Sequence, residues 1–340
     1  MGDESNFDRF DNFTTGGFRP HPLVRTPPTP TTLRGTHTMP FRVLHSTSPD
    51  LLRSANPHLT VEAEYGAVVV EGSVFTAAHH QPVGSPFAGD HLVAGGRPAP
   101  CNDAQIPTLD PSAGEWTVGV SHLDLDTIGG VLRALPEFTG LFAPEHAGFW
   151  RLAAFVDTNG AHRVNLSGAT EADIARLYGW WAYFKTLPRL GFNTLNDCTD
   201  TVLGCGPVLR ELLADDAGRI EAGRAFRAAE DALNAASFVG WHGPVLARKS
   251  PTQGDFVNHL YTANGTVARA VVGFNPEAGS VTVSLESPVP GVSCRDVVQG
   301  LWGPLAGGHA GIAGSPRGEV MTEAQFMDCV RAIEAALARG

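Results

Sequence analysis

Short apolar runs that end in polar residues and alternate with helix-like segments restrict the fold of this chain more than any other feature. The runs AVVVEGSVFTA, WTVGV and RLAAFV end before His79, Ser121 and Asp157, as buried strands do. TIGGVLRALPEF and ATEADIARLYGWWAYFKTL have helical character, and Thr170 followed by Asp173 gives the second segment a capped start. A repeated strand-then-helix order predicts an α/β fold around a parallel sheet.

The domain organisation follows from length and local composition. The chain has 340 residues, about twice the usual length of a domain, so we expect two domains. Residues 1–40 are rich in Pro and Thr and predict a flexible arm. Residues 41–205 are the predicted catalytic domain, 206–238 a helical linker, and 239–340 a smaller α+β domain. In the last, VARAVVGF, SVTVSLES and RDVVQGLWG are short alternating runs, and TEAQFMDCVRAIEAAL predicts a final helix.

Charge and composition exclude several classes of protein. Lys and Arg number 24 against 35 Asp and Glu, which gives a net charge of -11. The chain therefore lacks the broad basic surface that binding of long duplex nucleic acid requires. No run approaches the roughly 18 apolar residues of a membrane span, and no signal-peptide pattern opens the sequence. Five scattered cysteines without a CxxC pair fit reduced thiols, so we expect a cytoplasmic protein.

The segment WTVGVSHLDLDTIGG, residues 116–130, carries the most informative chemical pattern. An apolar strand leads directly into His122, Asp124 and Asp126, and the carboxyl ends of strands are where ligands bind in open α/β sheets. Alternate residues of an extended segment point the same way, so one imidazole and two carboxylates are available to a divalent metal. The alternative is that Asp124 or Asp126 caps the following helix and His122 packs at the strand end.

Two other predicted strand ends add candidate residues. RLAAFVDTNGAHR places Asp157 in a turn, where it is a fourth candidate metal ligand, and then presents His162. An Asx turn is the alternative role for Asp157. VFTAAHHQP places His79 and His80 after an apolar run, with side chains on opposite sides of an extended backbone. These three histidines are candidates for a further ligand or for proton transfer.

A glycine-rich segment in the C-terminal half, GPLAGGHAGIAGSPRG, is the candidate substrate-binding element. Consecutive glycines let the backbone approach an anion closely, and histidine and arginine side chains donate hydrogen bonds to phosphate or carboxylate. The candidate residues are Gly307, Gly308, His309 and Arg317. A simple turn between a strand and a helix is the alternative.

SHLDLD at 121–126 and AGGHAGIAG at 306–314 resemble two motifs of the DHH/DHHA1 phosphoesterase superfamily. The first is similar to its His-x-Asp-x-Asp metal motif, the second to the GGGHxxAAG signature of its C-terminal domain, and VTVSLES at 281–287 resembles the strand before that signature. The resemblance implies two lobes, with one or two Mn²⁺-like ions on the first and the anionic end of the substrate on the second. The Asp-His-His triplet that names the family is replaced here by DTNGAHR at 157–163.

Together these patterns predict a metal-dependent hydrolase, foremost a phosphoesterase that acts on a small anionic, nucleotide-like substrate bound between two lobes. The predicted metal ligands are His122, Asp124, Asp126 and Asp157. Mn²⁺ is the expected ion, with Zn²⁺, Fe²⁺ or Mg²⁺ as alternatives. The missing triplet leaves open a metal-dependent deacylase or C–N hydrolase of a small metabolite, or a ligand-binding relative without catalysis.

Overall fold

The computed structural model describes residues 41–61, 75–77, 109–110, 114–188, 190–191, 194–253, 255–308, 310–316 and 318–339. The described chain forms two compact units that divide between Phe226 and Arg227. The predicted domain boundaries, after residues 205 and 238, stay predictions. Five of the sequence predictions lie outside the described residues: the arm at 1–40, His79, His80, His309 and Arg317.

The first unit is built around a mostly parallel sheet. Its strands are β1 Phe41–His45, β2 Leu59–Val61, β3 Phe75–Ala77, β4 Trp116–Val120 and β5 Asn196–Asp197. Within the described residues their order is β3-β2-β4-β1-β5. Strands β1 to β4 run parallel, and β5 pairs with β1 in the antiparallel direction. The predicted α/β character is thus confirmed, while the sheet has mixed orientation.

Helices supply the rest of this unit. They are α1 Pro49–Ser54, α2 Leu125–Arg133, α3 Ala147–Asn159, α4 Glu171–Phe184 and α5 Thr199–Leu213, with α6 Ala217–Ala236 continuing into the second unit and 3₁₀ turns at Pro136–Phe142, Pro144–His146 and Ala161–Leu166. Thr170 caps α4, since its hydroxyl accepts from the Asp173 amide at 3.1 Å and donates to the Asp173 carboxylate at 2.8 Å. The capped start predicted from the sequence is confirmed. None of the helices in the described ranges has the length and apolarity of a membrane span.

The prediction that RLAAFV is a strand is wrong, because this segment belongs to helix α3. The buried apolar residues of α3 are Trp150 and the four residues Phe149, Leu152, Ala153 and Val156. The spacing of these four, by three, one and three residues, places them on one face of a helix. A five-residue apolar run fits both a buried strand and part of a buried helix, and here the helical period extends beyond the run. Asp157 therefore does not follow a strand.

The second unit contains a mixed six-stranded sheet. Its elements are β6 Phe238–His242, β7 Val245–Lys249, β8 Thr262–Ala263, β9 Thr266–Val267, β10 Ala270–Asn275, β11 Ser280–Leu285, α7 Cys294–Trp302, β12 Gly307–Gly308, β13 Ile312–Gly314 and α8 Glu323–Arg339. The order in the described chain is β12-β13-β11-β10-β7-β6, in which β7 and β10 are parallel and the other pairs antiparallel. Strands β8 and β9 form a separate ribbon.

One element of this unit differs from its prediction. RDVVQGLWG was expected to be an extended run, but it forms most of helix α7. Ser293 caps this helix by accepting a hydrogen bond from the Asp296 amide at 3.2 Å, and Cys294 and Val298, four residues apart, are fully buried on one face. A serine cap and a helical spacing of apolar residues therefore outweigh the strand preference of the paired valines. The final helix, α8, is confirmed.

Candidate active site at the carboxyl end of strand β4

Polar residues gather where the central strand of the first sheet ends. β4 lies between β2 and β1, and Ser121 and His122 follow its last residue directly. Asp124 precedes α2, and Asp126 and Thr127 lie in the first turn of that helix. From β2 the chain continues toward β3 at one edge of the sheet, and from β4 it continues toward β5 at the other edge. Such a reversal of direction is where open α/β sheets bind ligands.

Asp124 is the N-cap of α2, as one of the two sequence interpretations proposed. Its Oδ1 accepts a hydrogen bond of 2.7 Å from the Thr127 amide, and its backbone is extended rather than helical. The other carboxylate oxygen, Oδ2, lies 3.4 Å from Nε2 of His122. Capping therefore occupies one oxygen of Asp124 and leaves the second directed at the imidazole.

His122 is held at both ring nitrogens. Its Nδ1 lies 3.1 Å from the Ser121 hydroxyl, and its Nε2 lies 3.3 Å from the Thr127 hydroxyl as well as facing Asp124. The side chains of His122 and Asp124 are each 21% exposed. The pair is thus fixed in orientation and still reachable by a small ligand.

The pKa values of two neighbouring groups define the charge of this cluster. Burial raises the pKa of the Asp124 carboxyl, but the His122 imidazole and the hydrogen bonds from Thr127 outweigh burial and hold it well below its usual range. Burial and the nearby His122 lower the pKa of His45 to about 4, against the opposing effect of a hydrogen bond with the Ser121 backbone. At neutral pH the carboxylate is therefore anionic and His45 is uncharged.

His45 was missed by the sequence analysis. It is the last residue of β1, is 5% exposed, and its Nδ1 lies 3.3 Å from the side-chain nitrogen of Asn196 on β5. The register pairs it with Val120, the residue before Ser121. The run FRVLH has the same pattern of an apolar strand that ends in histidine, and this pattern was the available signal.

The donor chemistry of His122 and Asp124 suits a divalent cation. Two ligand atoms that each bind one ion at about 2.1 Å lie about 3.0 Å apart at an octahedral angle and about 3.4 Å apart at a tetrahedral angle, so the 3.4 Å between Nε2 and Oδ2 lies within a few tenths of an ångström of either arrangement. Mg²⁺ is commonly held by one or two protein carboxylates with water and substrate oxygens. In the described part of the chain, no three His, Cys, Asp or Glu side chains gather as a complete metal-binding group. The fit therefore rests on this pair.

The other predicted residues of the first unit are placed differently. Asp126 is 2% exposed in the first turn of α2, and Asp157 is 8% exposed within α3. The expectation that Asp157 stands in a turn at a strand end is wrong, because the helix extends to Asn159. His162 lies in the 3₁₀ turn after Gly160. The catalytic or ligand roles of these three residues stay predictions.

One glycine of the C-terminal segment, Gly308, has a structural reason to be glycine. Gly307 and Gly308 form β12, which pairs with β13. Gly308 has φ +142°, and a Cβ there would lie 2.5 Å from the Cα of Ala313, so a larger residue would displace the hairpin. Nε of Arg295 on α7 donates to the Gly308 carbonyl at 2.6 Å. Gly307 and Gly308 thus belong to a pair of short strands rather than to a simple turn between a strand and a helix, and anion binding by the segment stays a prediction.

Comparisons with known proteins leave the family open. No family model matches the chain, and no curated protein matches it. RecJ from Thermus thermophilus in complex with Mn²⁺ has a TM-score of 0.34 and 18% identity, over 86% of this chain and 46% of RecJ. The RecJ complex with Mg²⁺ has a TM-score of 0.34 and 16% identity, over 88% of this chain and 50% of RecJ. An uncharacterized protein from Helicobacter pylori has a TM-score of 0.19 and 10% identity, over 67% of this chain and 71% of that protein.

The chain thus spans about half the length of the RecJ chains to which it is similar. A similarity of this strength does not establish a shared family. The resemblance of SHLDLD and AGGHAGIAG to the DHH/DHHA1 superfamily therefore stays a prediction from the sequence.

Proposed function

We propose that the protein is a divalent-metal-dependent hydrolase whose active site lies at the carboxyl end of β4. The observation that carries the proposal is the His122–Asp124 pair, in which an imidazole nitrogen and a carboxylate oxygen lie 3.4 Å apart at a partly exposed strand end. The pair lies at the carboxyl end of β4. At this point of the sheet, the connection from β2 leads to a strand at one edge and the connection from β4 leads to a strand at the other edge.

The charge of the cluster supports cation binding. Asp124 is anionic at neutral pH, and His45, which ends the neighbouring strand β1, is uncharged because its pKa is about 4. An anionic carboxylate attracts a divalent cation, and an uncharged His45 adds no positive charge that would oppose one at this end of the sheet. Asp124 and His122 would hold the ion, while Ser121 and Thr127 keep the imidazole in place.

A bound divalent ion supplies a water of lowered pKa and neutralises charge on the group under attack. Positive charge at the centre suits an anionic substrate, so we assign a small phosphate ester as the substrate class. The phosphate in this assignment comes from the resemblance of SHLDLD and AGGHAGIAG to motifs of phosphoesterases. Mn²⁺ is the proposed ion, because an imidazole in the donor set favours it over Mg²⁺.

Asp124→Asn tests the proposal with a minimal structural change. Asparagine is as good an N-cap as aspartate, so the variant keeps an acceptor for the Thr127 amide while losing the charge. Metal-free protein is supplied with Mn²⁺ and assayed on bis(p-nitrophenyl) phosphate, p-nitrophenyl phosphate and p-nitrophenyl acetate. We expect phosphate ester hydrolysis that depends on the ion, and a fall of about a hundredfold or more in kcat/KM for Asp124→Asn.

Asp216→Asn is the matched control. Oδ1 of Asp216 accepts from the Arg219 amide at 3.0 Å at the start of α6, so the control makes the same change at another helix start. It should retain wild-type activity. Wild-type protein that hydrolyses none of the three compounds faster with Mn²⁺ or Mg²⁺ than without them contradicts the proposal. If the ion accelerates hydrolysis of the acetate ester alone, the protein is still a metal-dependent hydrolase, but a phosphate ester is not its substrate class.

A further inference from the structure

Ser121 contacts the imidazole of His122 on the side away from Asp124. It is the first residue after β4 and is 8% exposed. Its hydroxyl oxygen lies 3.1 Å from Nδ1 of His122, while Asp124 Oδ2 faces the opposite ring nitrogen, Nε2. The hydroxyl and the carboxylate thus approach the ring from its two nitrogens.

The position of the imidazole proton decides what this arrangement can do. A neutral histidine carries its proton on one ring nitrogen and a lone pair on the other. A cation shared between Nε2 and Asp124 Oδ2 needs the lone pair at Nε2, which requires the proton at Nδ1. A hydroxyl oxygen at 3.1 Å is an acceptor for that proton. Hydrogen bonds of this kind orient metal-binding histidines and select their tautomer.

The position of Ser121 is itself rigid. The preceding residue, Val120, is fully buried, pairs with β1 and β2, and accepts at its carbonyl from the Ser46 amide at 3.0 Å. A side chain that follows a central strand held on both sides has little freedom to move away from its neighbour. The serine is therefore able to hold the ring, rather than merely touch it.

We infer that Ser121 is a positioning residue that fixes His122 with its Nε2 lone pair toward Asp124, and so sets the affinity of the site for a divalent cation. This inference rests on the proposed function, since it assigns a role in the same metal site. Removal of such a supporting contact commonly weakens metal binding about 10- to 100-fold.

The test is calorimetric titration of metal-free full-length protein with Mn²⁺. Ser121→Ala should bind the ion about 10- to 100-fold more weakly than wild type, and Ser121→Thr, which restores the hydroxyl, should recover most of the affinity. Ser284→Ala is the control: this buried serine in the second unit donates to the Asn258 carbonyl at 2.6 Å, and its removal should leave Mn²⁺ affinity unchanged. If Ser121→Ala does not fold, Ser121→Cys keeps the shape of the side chain, with a somewhat larger atom, and replaces the hydroxyl acceptor by a weak one.

Imidazole nitrogen NMR provides a second readout that a purely structural role would not change. In wild type with Mg²⁺ or Zn²⁺, the proton of His122 should reside on Nδ1, and Ser121→Ala should shift the ring toward the other tautomer. Unchanged Mn²⁺ affinity in a folded Ser121→Ala variant overturns the inference while the proposed function stands. Lost hydrolysis with unchanged affinity also overturns it, because the hydroxyl then acts in the chemistry. Wild-type protein that binds no ion rejects both the inference and the metal-dependent function.

Discussion

Arg248 on β7 is a buried cation whose hydrogen bonds connect three segments of the second unit. Its side chain is fully buried, and burial lowers its pKa to about 10, so it remains protonated at neutral pH. It donates to the carbonyls of Leu260, Asn234 and Thr262 at 2.6, 2.7 and 2.9 Å, to the Ser237 hydroxyl at 2.8 Å, and to the side-chain oxygen of Asn234. Within the described residues its partners include no acidic side chain.

Arg248→Met keeps an unbranched side chain but removes every donor. Three main-chain carbonyls would lose a partner, and each deprived buried acceptor costs about 1–3 kcal/mol. Relief of the cost of burying the guanidinium offsets part of this loss. We therefore expect the free energy of unfolding to fall by about 3–5 kcal/mol, a large share of the 5–15 kcal/mol that is usual for a domain. Arg248→Lys has fewer donors than arginine, so its free energy of unfolding should lie between those of wild type and Arg248→Met.

Urea unfolding followed by tryptophan fluorescence measures this loss as a shift of the transition reported by Trp241 and Trp302 in the second unit, while the other four tryptophans report the first unit. Arg331→Met is the matched control: this arginine is 62% exposed and bonds Asp328 at 2.6 Å. Its removal should cost less than about 1 kcal/mol. If Arg248→Met lies within about 1 kcal/mol of wild type, the buried hydrogen bonds do not stabilise the second unit as argued.

Two further predictions concern the first unit. In metal-free wild type, the free energy of unfolding should fall by about 3 kcal/mol as the pH is lowered from 6.5 to 4. The reason is that the histidine binds a proton in the unfolded chain, whereas His45 in the folded protein, with a pKa of about 4, does not. Urea unfolding of His45→Gln across this range should lack this pH-dependent loss, and identical pH curves for the two proteins would contradict the prediction. Gly206→Ala should lower the melting temperature, because its Cβ would lie 2.1 Å from Phe138. Gly204→Ala on the same helix, whose nearest neighbour is Tyr183 at 4.0 Å, should leave it unchanged or raise it.

Elements with two independent local signals could be predicted from the sequence. Strand β4 combines an apolar run with a polar end, and α4 combines the Thr170 cap with a helical apolar period. Helices α3 and α7 contain short apolar runs that fit both periods, so the sequence predicts extended segments there, and their burial on one face depends on tertiary packing. The local sequence pattern alone does not specify that packing.

The candidate site was predictable only where its members are close in sequence. His122 and Asp124 are two residues apart, so their proximity follows from the backbone of one segment. His45 reaches the same place through the parallel register of β1 with β4, which the sequence of β1 does not specify. The sequence predicts Asp157 in the site because the run before it has the pattern of a strand. The segment is helical, so this reason for placing Asp157 in the site is lost.

Anomalous diffraction tests the central claim most directly. Crystals of the full-length protein grown or soaked with Mn²⁺ are measured on both sides of the manganese absorption edge, which locates the ion independently of any activity. The account predicts a peak within about 2.0–2.3 Å of both His122 Nε2 and Asp124 Oδ2, absent from crystals of Asp124→Asn. A peak that lies elsewhere, or no peak at a Mn²⁺ concentration that supports turnover, would contradict it.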